Sequence, residues 1–201
     1  MRATRLPTGS GGVDDVVTAA LRAVDRRGFL PDARHRHAGE DRPLDIGQGQ
    51  TCSQPSTVSA MLRLLDVPRG AHVLDVGAGS GWTTALLAHL VGPDGEVLGV
   101  ERHQELAAWG AANVERAGMP WARVVEATPG VLGAPRPGGW DRVLVSAAAD
   151  RLPDELVDQV APGGRMVIPV RHAMVLVERS DDGRVRTSEH GTYSFVPLVE
   201  D

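Results

Sequence analysis

The chain has 201 residues and a formal net charge of −5 at pH 7, with 42% hydrophobic and 23% charged residues. That length and mix suit one domain with a sizeable core, and the acidic balance argues against a nucleic-acid or anionic-membrane partner. Cys52 stands alone, which excludes an internal disulfide; no apolar run approaches a membrane span, and residues 1–12 lack a signal-peptide core, so a cytoplasmic protein is expected.

Residues 1–12, with Pro7, Gly9, Ser10, Gly11 and Gly12, read as a loose arm, and residues 13–201 as one domain. Val13, Val16, Val17, Ala20, Leu21 and Val24 fall at helical spacing, with Gly28 as the stop. From Phe29 to about residue 54 the chain reads as a polar connection. Its His35 and His37 have no further ligands at metal spacing, so no metal site is expected. Gly47-Gln48-Gly49-Gln50-Thr51-Cys52-Ser53-Gln54-Pro55 reads as a turn, and Pro55 suits the first turn of the next helix, carrying Val58, Met61, Leu62 and Leu65. Thr51 and Ser53 then sit at or just before a helix start, where capping is one role open to Ser53.

Val73-Leu74-Asp75-Val76 reads as a buried strand running into Gly77-Ala78-Gly79-Ser80-Gly81 and a helix over 83–90. A second strand, 97–100, ends at Glu101, and Arg102 follows it. A helix through Leu106, Trp109, Asn113 and Val114 stops at Gly118. Strand 123–125, a Pro/Gly-rich loop over 127–139 and strand 143–145 follow, the last leading into Ser146-Ala147-Ala148-Ala149. The pattern predicts a helix over 153–160, a turn at Pro162-Gly163-Gly164, and strands at 166–168, 174–177 and 193–196, with Asp181-Asp182-Gly183 as a hairpin turn. This alternation predicts a doubly wound, Rossmann-like α/β fold with a mostly parallel sheet.

A strand, a glycine turn and a helix, with an acidic residue ending the next strand, suit a nucleoside cofactor whose ribose hydroxyls meet that carboxylate. A dinucleotide turn wants G-x-G-x-x-G, and its third glycine would fall at Trp82. The chain instead has Gly77-x-Gly79-x-Gly81 with Asp75 two residues upstream. That is the pattern of class I S-adenosyl-L-methionine-dependent methyltransferases. Glu101 becomes the ribose ligand, and Asp75 is placed in the cofactor-binding set as a buttress of the turn. Trp82 either walls the site or packs on the sheet.

With Gln50-Thr51-Cys52-Ser53-Gln54-Pro55 in view, the chain resembles the protein-L-isoaspartate O-methyltransferase family. Arg27-Gly28-Phe29-Leu30-Pro31, Glu40-Asp41-Arg42-Pro43-Leu44, Val145-Ser146-Ala147-Ala148-Ala149, Pro162-Gly163-Gly164-Arg165 and Phe195-Val196-Pro197-Leu198 match it in order. The resemblance implies methylation of the free carboxylate of L-isoaspartyl residues in damaged peptides and in unfolded or aged proteins. S-adenosyl-L-methionine is the donor and S-adenosyl-L-homocysteine the product. The ester then closes to a succinimide, whose opening can restore aspartate. Ser53 becomes the active-site residue, assisted by Thr51, within a substrate-side segment at 13–65 set on a cofactor core at 66–201.

Three departures stand out. Ala127 occupies the place of an acidic residue that contacts adenine, which leaves either Glu126 or Thr128 to take over or the adenine to be held mainly by stacking and backbone. Gly39 replaces an aromatic, and Cys52 replaces an apolar residue and reads as a small packed side chain. Two other readings stay open: an aspartyl O-methyltransferase acting on one dedicated biosynthetic peptide, and a non-catalytic cofactor-binding scaffold. A chain ending just after Phe195-Val196-Pro197-Leu198 favours general repair, and a monomer is expected.

Overall fold

Helix α1, Val16–Ala23, begins where the Asp15 carboxylate accepts the N–H groups of Val17 and Thr18. The computed structural model describes residues 15–199. Val13 and the arm expected at 1–12 lie outside the described residues. The stripe on α1 buries Val17 and Ala20, whereas Val16 is 68% exposed and belongs to the solvent face. Two short 3-10 turns follow, Arg26–Phe29 and Asp32–His37.

The expected 29–54 connection contains a hairpin. Strand β1, Leu44–Gly47, pairs antiparallel with β2, Gln50–Cys52. Gly47, Gln48 and Gly49 all take positive φ at the turn between them. Thr51 therefore lies on a strand, not at a helix start. Helix α2, Pro55–Leu65, has Gln54 at its N-cap with no side-chain cap bond. Asp41 supplies the acceptor instead, taking the Ser56 N–H at 2.9 Å.

Strands β3 (His72–Val76), β4 (Glu96–Glu101), β5 (Ala122–Glu126), β6 (Trp140–Val145), β7 (Val160–Val170), β8 (Ala173–Arg179) and β9 (Val185–Thr192) form one sheet. Its order is β5-β4-β3-β6-β7-β8-β9. The first five pair in parallel and the last two antiparallel. The order reverses between β3 and β6, the crevice where open α/β sheets bind ligands. Helices α3 (Trp82–Val91) and α4 (Gln104–Arg116) join α1 and α2 over one face, packing Leu86, Leu62 and Val114 on Val73, Val97 and Leu144. The other face is covered thinly, by the short helix α5 (Asp154–Val157) and the 127–139 loop, over Leu74, Val76, Val143 and Val145.

Three expected elements change. The 153–160 helix shrinks to α5, because Val160 already pairs with Trp140. Pro162-Gly163-Gly164 is an irregularity inside β7, since Trp140 pairs with Val160 but Arg142 with Arg165. The strand expected at 193–196 is displaced upstream to β9. That strand is polar and exposed on both sides, so it shows no hydrophobic alternation to read. Residues 193–198 cross the strand ends instead: Ala148 N–H donates to Val196 O and Leu198 N–H to Ala148 O, at 2.8 and 2.7 Å.

Two glycines let α4 lie on the glycine turn. A β-carbon on Gly110 would fall 2.6 Å from Gly79 O, and one on Gly81 would fall 2.8 Å from Val114 Cγ2. Gly110→Ala gains at most about 1 kcal/mol of helix propensity. Forcing backbone against backbone costs about 1–3 kcal/mol, so the clash wins. Thermal unfolding of Gly110→Ala is expected several degrees below wild type, with weaker S-adenosyl-L-homocysteine binding; a rise in the melting temperature would refute the contact.

Candidate active site

The carboxyl ends of β3, β4 and β6 open into one cavity. Its wall includes Gly77, Ala78, Gly79 and Ser80 of the turn, Glu101, Arg102 and His103 after β4, and Thr51, Cys52 and Ser53 of the hairpin segment. Trp82, the 126–133 run, Ser146, Ala147 and residues 196–199 also line it. The hairpin touches the turn directly: Ile46 Cδ1 lies 3.2 Å from where a Gly79 β-carbon would stand. Thus Thr51, Ser53, Gly77, Ala78, Gly79, Ser80, Glu101, Arg102, Glu126, Ala127 and Thr128 all reach the cavity. Asp75 and Gly81 are not part of that wall.

The turn uses most of its N–H groups internally. Those of Gly77 and Ala78 donate to Val100 O at 2.9 and 3.1 Å, and that of Gly81 donates to Ala78 O at 2.8 Å. Gly79 N–H donates to Glu101 Oε2 at 2.9 Å. The turn therefore offers a shaped surface more than an anion-binding nest. Glu101 Oε1 accepts the His103 N–H, also at 2.9 Å, and the side chain is 5% exposed. Each oxygen carries one protein hydrogen bond and keeps a lone pair, which suits two neighbouring hydroxyls of a ribose. Asn113 Nδ2 steadies the turn from α4 by donating to Ser80 O at 2.8 Å.

Asp75 acts from behind this wall. It is fully buried, and its Oδ2 accepts the hydroxyls of Thr83 and Thr84, each at 2.7 Å. The buttress thus grips side chains at the start of α3, not backbone N–H groups of the turn. Its Oδ1 has no partner among the described residues. Burial raises its pKa from 3.8 to about 6, with the two hydroxyls pulling it down and Glu101 pushing it up. The folded state therefore holds this proton more tightly than the unfolded chain. The resulting stabilisation is complete below pH 3.8 and is lost as pH rises through about 6. Relative to Asp75→Asn, wild-type stability in urea is expected to improve by roughly 2 kcal/mol between pH 7.5 and pH 4. A difference independent of pH would show that Asp75 titrates normally.

The hydroxyls divide into two groups. Thr83 and Thr84 are committed to Asp75. No hydrogen bond joins the Thr51, Ser53, Thr128 or Ser146 hydroxyl to a protein group among the described residues. These are the donors that a ligand can use. Ser53 is half-buried and does not cap α2, so the capping role falls to Asp41. Arg102 is the arginine of the wall and His103 its histidine among the described residues.

At the far end, Ala127 lies where the resemblance places an acid, and it packs, as Leu98 and Leu132 do, against the cluster containing Val76 and Val100. Apart from Glu101, Glu126 is the acidic side chain of the wall among the described residues, and it is exposed. The loop here is pinned by Gln159, which was not evident from sequence. Its Oε1 accepts the Ala134 N–H and its Nε2 donates to Leu132 O, at 2.8 and 2.7 Å. The two alternatives for Trp82 are not exclusive: it lines the cavity and belongs to the core cluster with Val73 and Val97 of the sheet, while its indole N–H donates to Val24 O at 3.2 Å. His35 bonds Leu30 O and His37 pairs with Glu40, both as local loop contacts.

The model of the protein-L-isoaspartate(D-aspartate) O-methyltransferase family matches residues 8–201. A protein-L-isoaspartate O-methyltransferase of Aeropyrum pernix is 46% identical over 187 residues, 91% of this chain and 72% of that protein. One from Methanopyrus kandleri is 44% identical over 187 residues, 91% of this chain and 83% of that protein. Among solved structures, a Plasmodium falciparum chain assigned to the same enzyme class, in complex with S-adenosyl-L-homocysteine, superposes with a TM-score of 0.77 at 26% identity. That match covers 94% of this chain and 93% of the other. The chain belongs to the protein-L-isoaspartate(D-aspartate) O-methyltransferase family.

Proposed function

We propose that this chain methylates the free carboxylate of L-isoaspartyl residues in peptides and in unfolded or aged proteins, with Ser53 and Thr51 orienting the acceptor. The observation that carries the assignment of residues is the pair of uncommitted hydroxyls, Thr51 and Ser53, in the same cavity as the glycine turn and Glu101. S-adenosyl-L-methionine, when bound, supplies a methyl group activated by a positively charged sulfur. Glu101 accepts the ribose hydroxyls, and Gly77, Ala78, Gly79 and Ser80 carry the methionine part. Glu126, Ala127 and Thr128 border the adenine, with Arg102 beside the ribose. Asp75 and Gly81 hold the turn in shape from outside the cavity.

The acceptor carboxylate is already ionised near pH 7, so no general base is needed. What the protein must do is align the carboxylate and keep water out. Neutral hydroxyls on Thr51 and Ser53 hold one oxygen without the full charge of a cation, which would blunt its nucleophilicity. Ser146 and Ala147 leave room for a peptide backbone. The 13–65 segment serves the substrate, and 66–201 forms the cofactor core of the same domain; α1 and α2 share one apolar cluster with α3 and α4. A cytoplasmic monomer fits the single buried cysteine. Among the described residues no helix is long and apolar enough to cross a membrane.

The test is methyl transfer from labelled S-adenosyl-L-methionine to an isoaspartyl peptide and to its aspartyl twin. Transfer to the isoaspartyl peptide alone is expected. Cofactor binding with transfer to neither peptide would reject the repair reading.

A further inference from the structure

Arg26 is an arginine that the core encloses: it is 4% exposed. A buried cation is costly unless paired, and carboxylates are the usual partners. Here all five N–H groups of the guanidinium find acceptors, none of them a carboxylate. Nη1 donates to Ala38 O and Glu40 O at 3.4 and 3.0 Å. Nη2 donates to Arg42 O at 2.9 Å and to Cys52 O at 2.8 Å, and Nε approaches Cys52 Sγ at 3.5 Å. The guanidinium carbon lies 5.4 Å from the centroid of the Trp82 ring. A planar fork on main-chain carbonyls fixes geometry more than it neutralises charge.

The partners decide what is fixed. Cys52 stands between Thr51 and Ser53, so its carbonyl sets the placement of both hydroxyls. Residues 38–42 carry Asp41, which takes the Ser56 N–H and so anchors the chain just beyond Ser53. Hydrogen bonds from Ser56, and more weakly the charge of Arg26, hold Asp41 below the usual carboxylate range. Trp82 follows directly on the glycine turn and lines the cavity. One guanidinium thus contacts the acceptor strand, the loop that anchors its far end, and the first residue after the donor turn.

We propose that Arg26 is a positioning residue that sets the Thr51 and Ser53 hydroxyls against the donor side of the cavity. This rests on the methyl-transfer reading. Lysine keeps the charge but offers three donors from a single nitrogen and cannot span these carbonyls; methionine keeps the stem and offers none. The experiment compares Arg26→Lys and Arg26→Met with wild type. It measures folded fraction, S-adenosyl-L-homocysteine affinity, kcat and KM with an isoaspartyl peptide, and hydrogen exchange across residues 50–54. Displacing a reactive group by about 1 Å costs about 100-fold in rate. For Arg26→Met, kcat per folded molecule is expected to fall about that far, with affinity for S-adenosyl-L-homocysteine within about threefold. Arg26→Lys is expected to lie between, and exchange across 50–54 to quicken in both.

Unchanged kcat per folded molecule in either variant would make Arg26 a stability residue and overturn the proposal. If Arg26→Met does not fold, Arg26→Lys decides by the same criteria, and failure of both to fold also overturns it. The exchange measurement needs no methyl acceptor. If wild type methylates nothing, the functional reading fails on that assay alone, while exchange across 50–54 still accepts or rejects the positioning role.

Discussion

Replacing Glu101 with alanine is expected to weaken S-adenosyl-L-homocysteine binding about 100-fold or more, and to lower the melting temperature as well. Two effects combine. A carboxylate accepting two ribose hydroxyls contributes about 1.5–3 kcal/mol per bond, and 2.7 kcal/mol already corresponds to about 100-fold. The same carboxylate accepts the N–H groups of Gly79 and His103, so alanine leaves two donors behind in a largely buried site. Each unsatisfied donor costs about 1–3 kcal/mol, less where water can enter the enlarged cavity. Glu101→Gln separates the two roles. Its oxygen serves one N–H while its amide group confronts the other, so affinity and stability both fall, but less than in alanine. Calorimetric titration and thermal unfolding measure the pair. A variant that melts early yet binds within about threefold of wild type would leave Glu101 with only its structural role.

Glu101 was also the easiest site residue to read. It ends an apolar strand, and the strand before it runs into glycines, a pattern set by local chemistry. Strands β3 and β4 are buried on both faces, so apolar runs betray them directly. The hairpin of β1 and β2 hid because its strands have four and three residues, and its turn looks like any glycine-rich loop. Arg26 and Gln159 hid for a different reason. Polar side chains default to solvent, and their acceptors here are mostly main-chain carbonyls, which every residue has and no sequence marks. Gly110 carries no sign of its role either. Its value lies in how near Gly79 O comes, a distance set by two elements meeting in space. Local chemistry thus exposed the proposed donor half of the cavity, and tertiary packing concealed what holds the proposed acceptor half in place.

That division gives the Ser53→Ala experiment its force. Alanine at this position is expected to lower kcat about 100-fold, at the lower end of what losing one oriented hydrogen-bond donor costs. Cofactor affinity should stay within about twofold, since Glu101 and the glycine turn are untouched. Stability should also hold. The N-cap of α2 is Gln54, and the helix start is satisfied by Asp41, so Ser53 supplies no cap to lose. Asp41→Ala is the opposite case: it keeps the Ser53 hydroxyl but removes the acceptor of the Ser56 N–H, so stability is expected to fall. Thr51→Ala combined with Ser53→Ala should fall short of the product of the single losses if both hydroxyls grip one carboxylate. Full additivity would mean that they act on different groups. Unchanged turnover in Ser53→Ala would remove Ser53 from the chemistry, and the carboxylate would then have to be oriented by Thr51 or Ser146, the other uncommitted hydroxyls on this part of the wall.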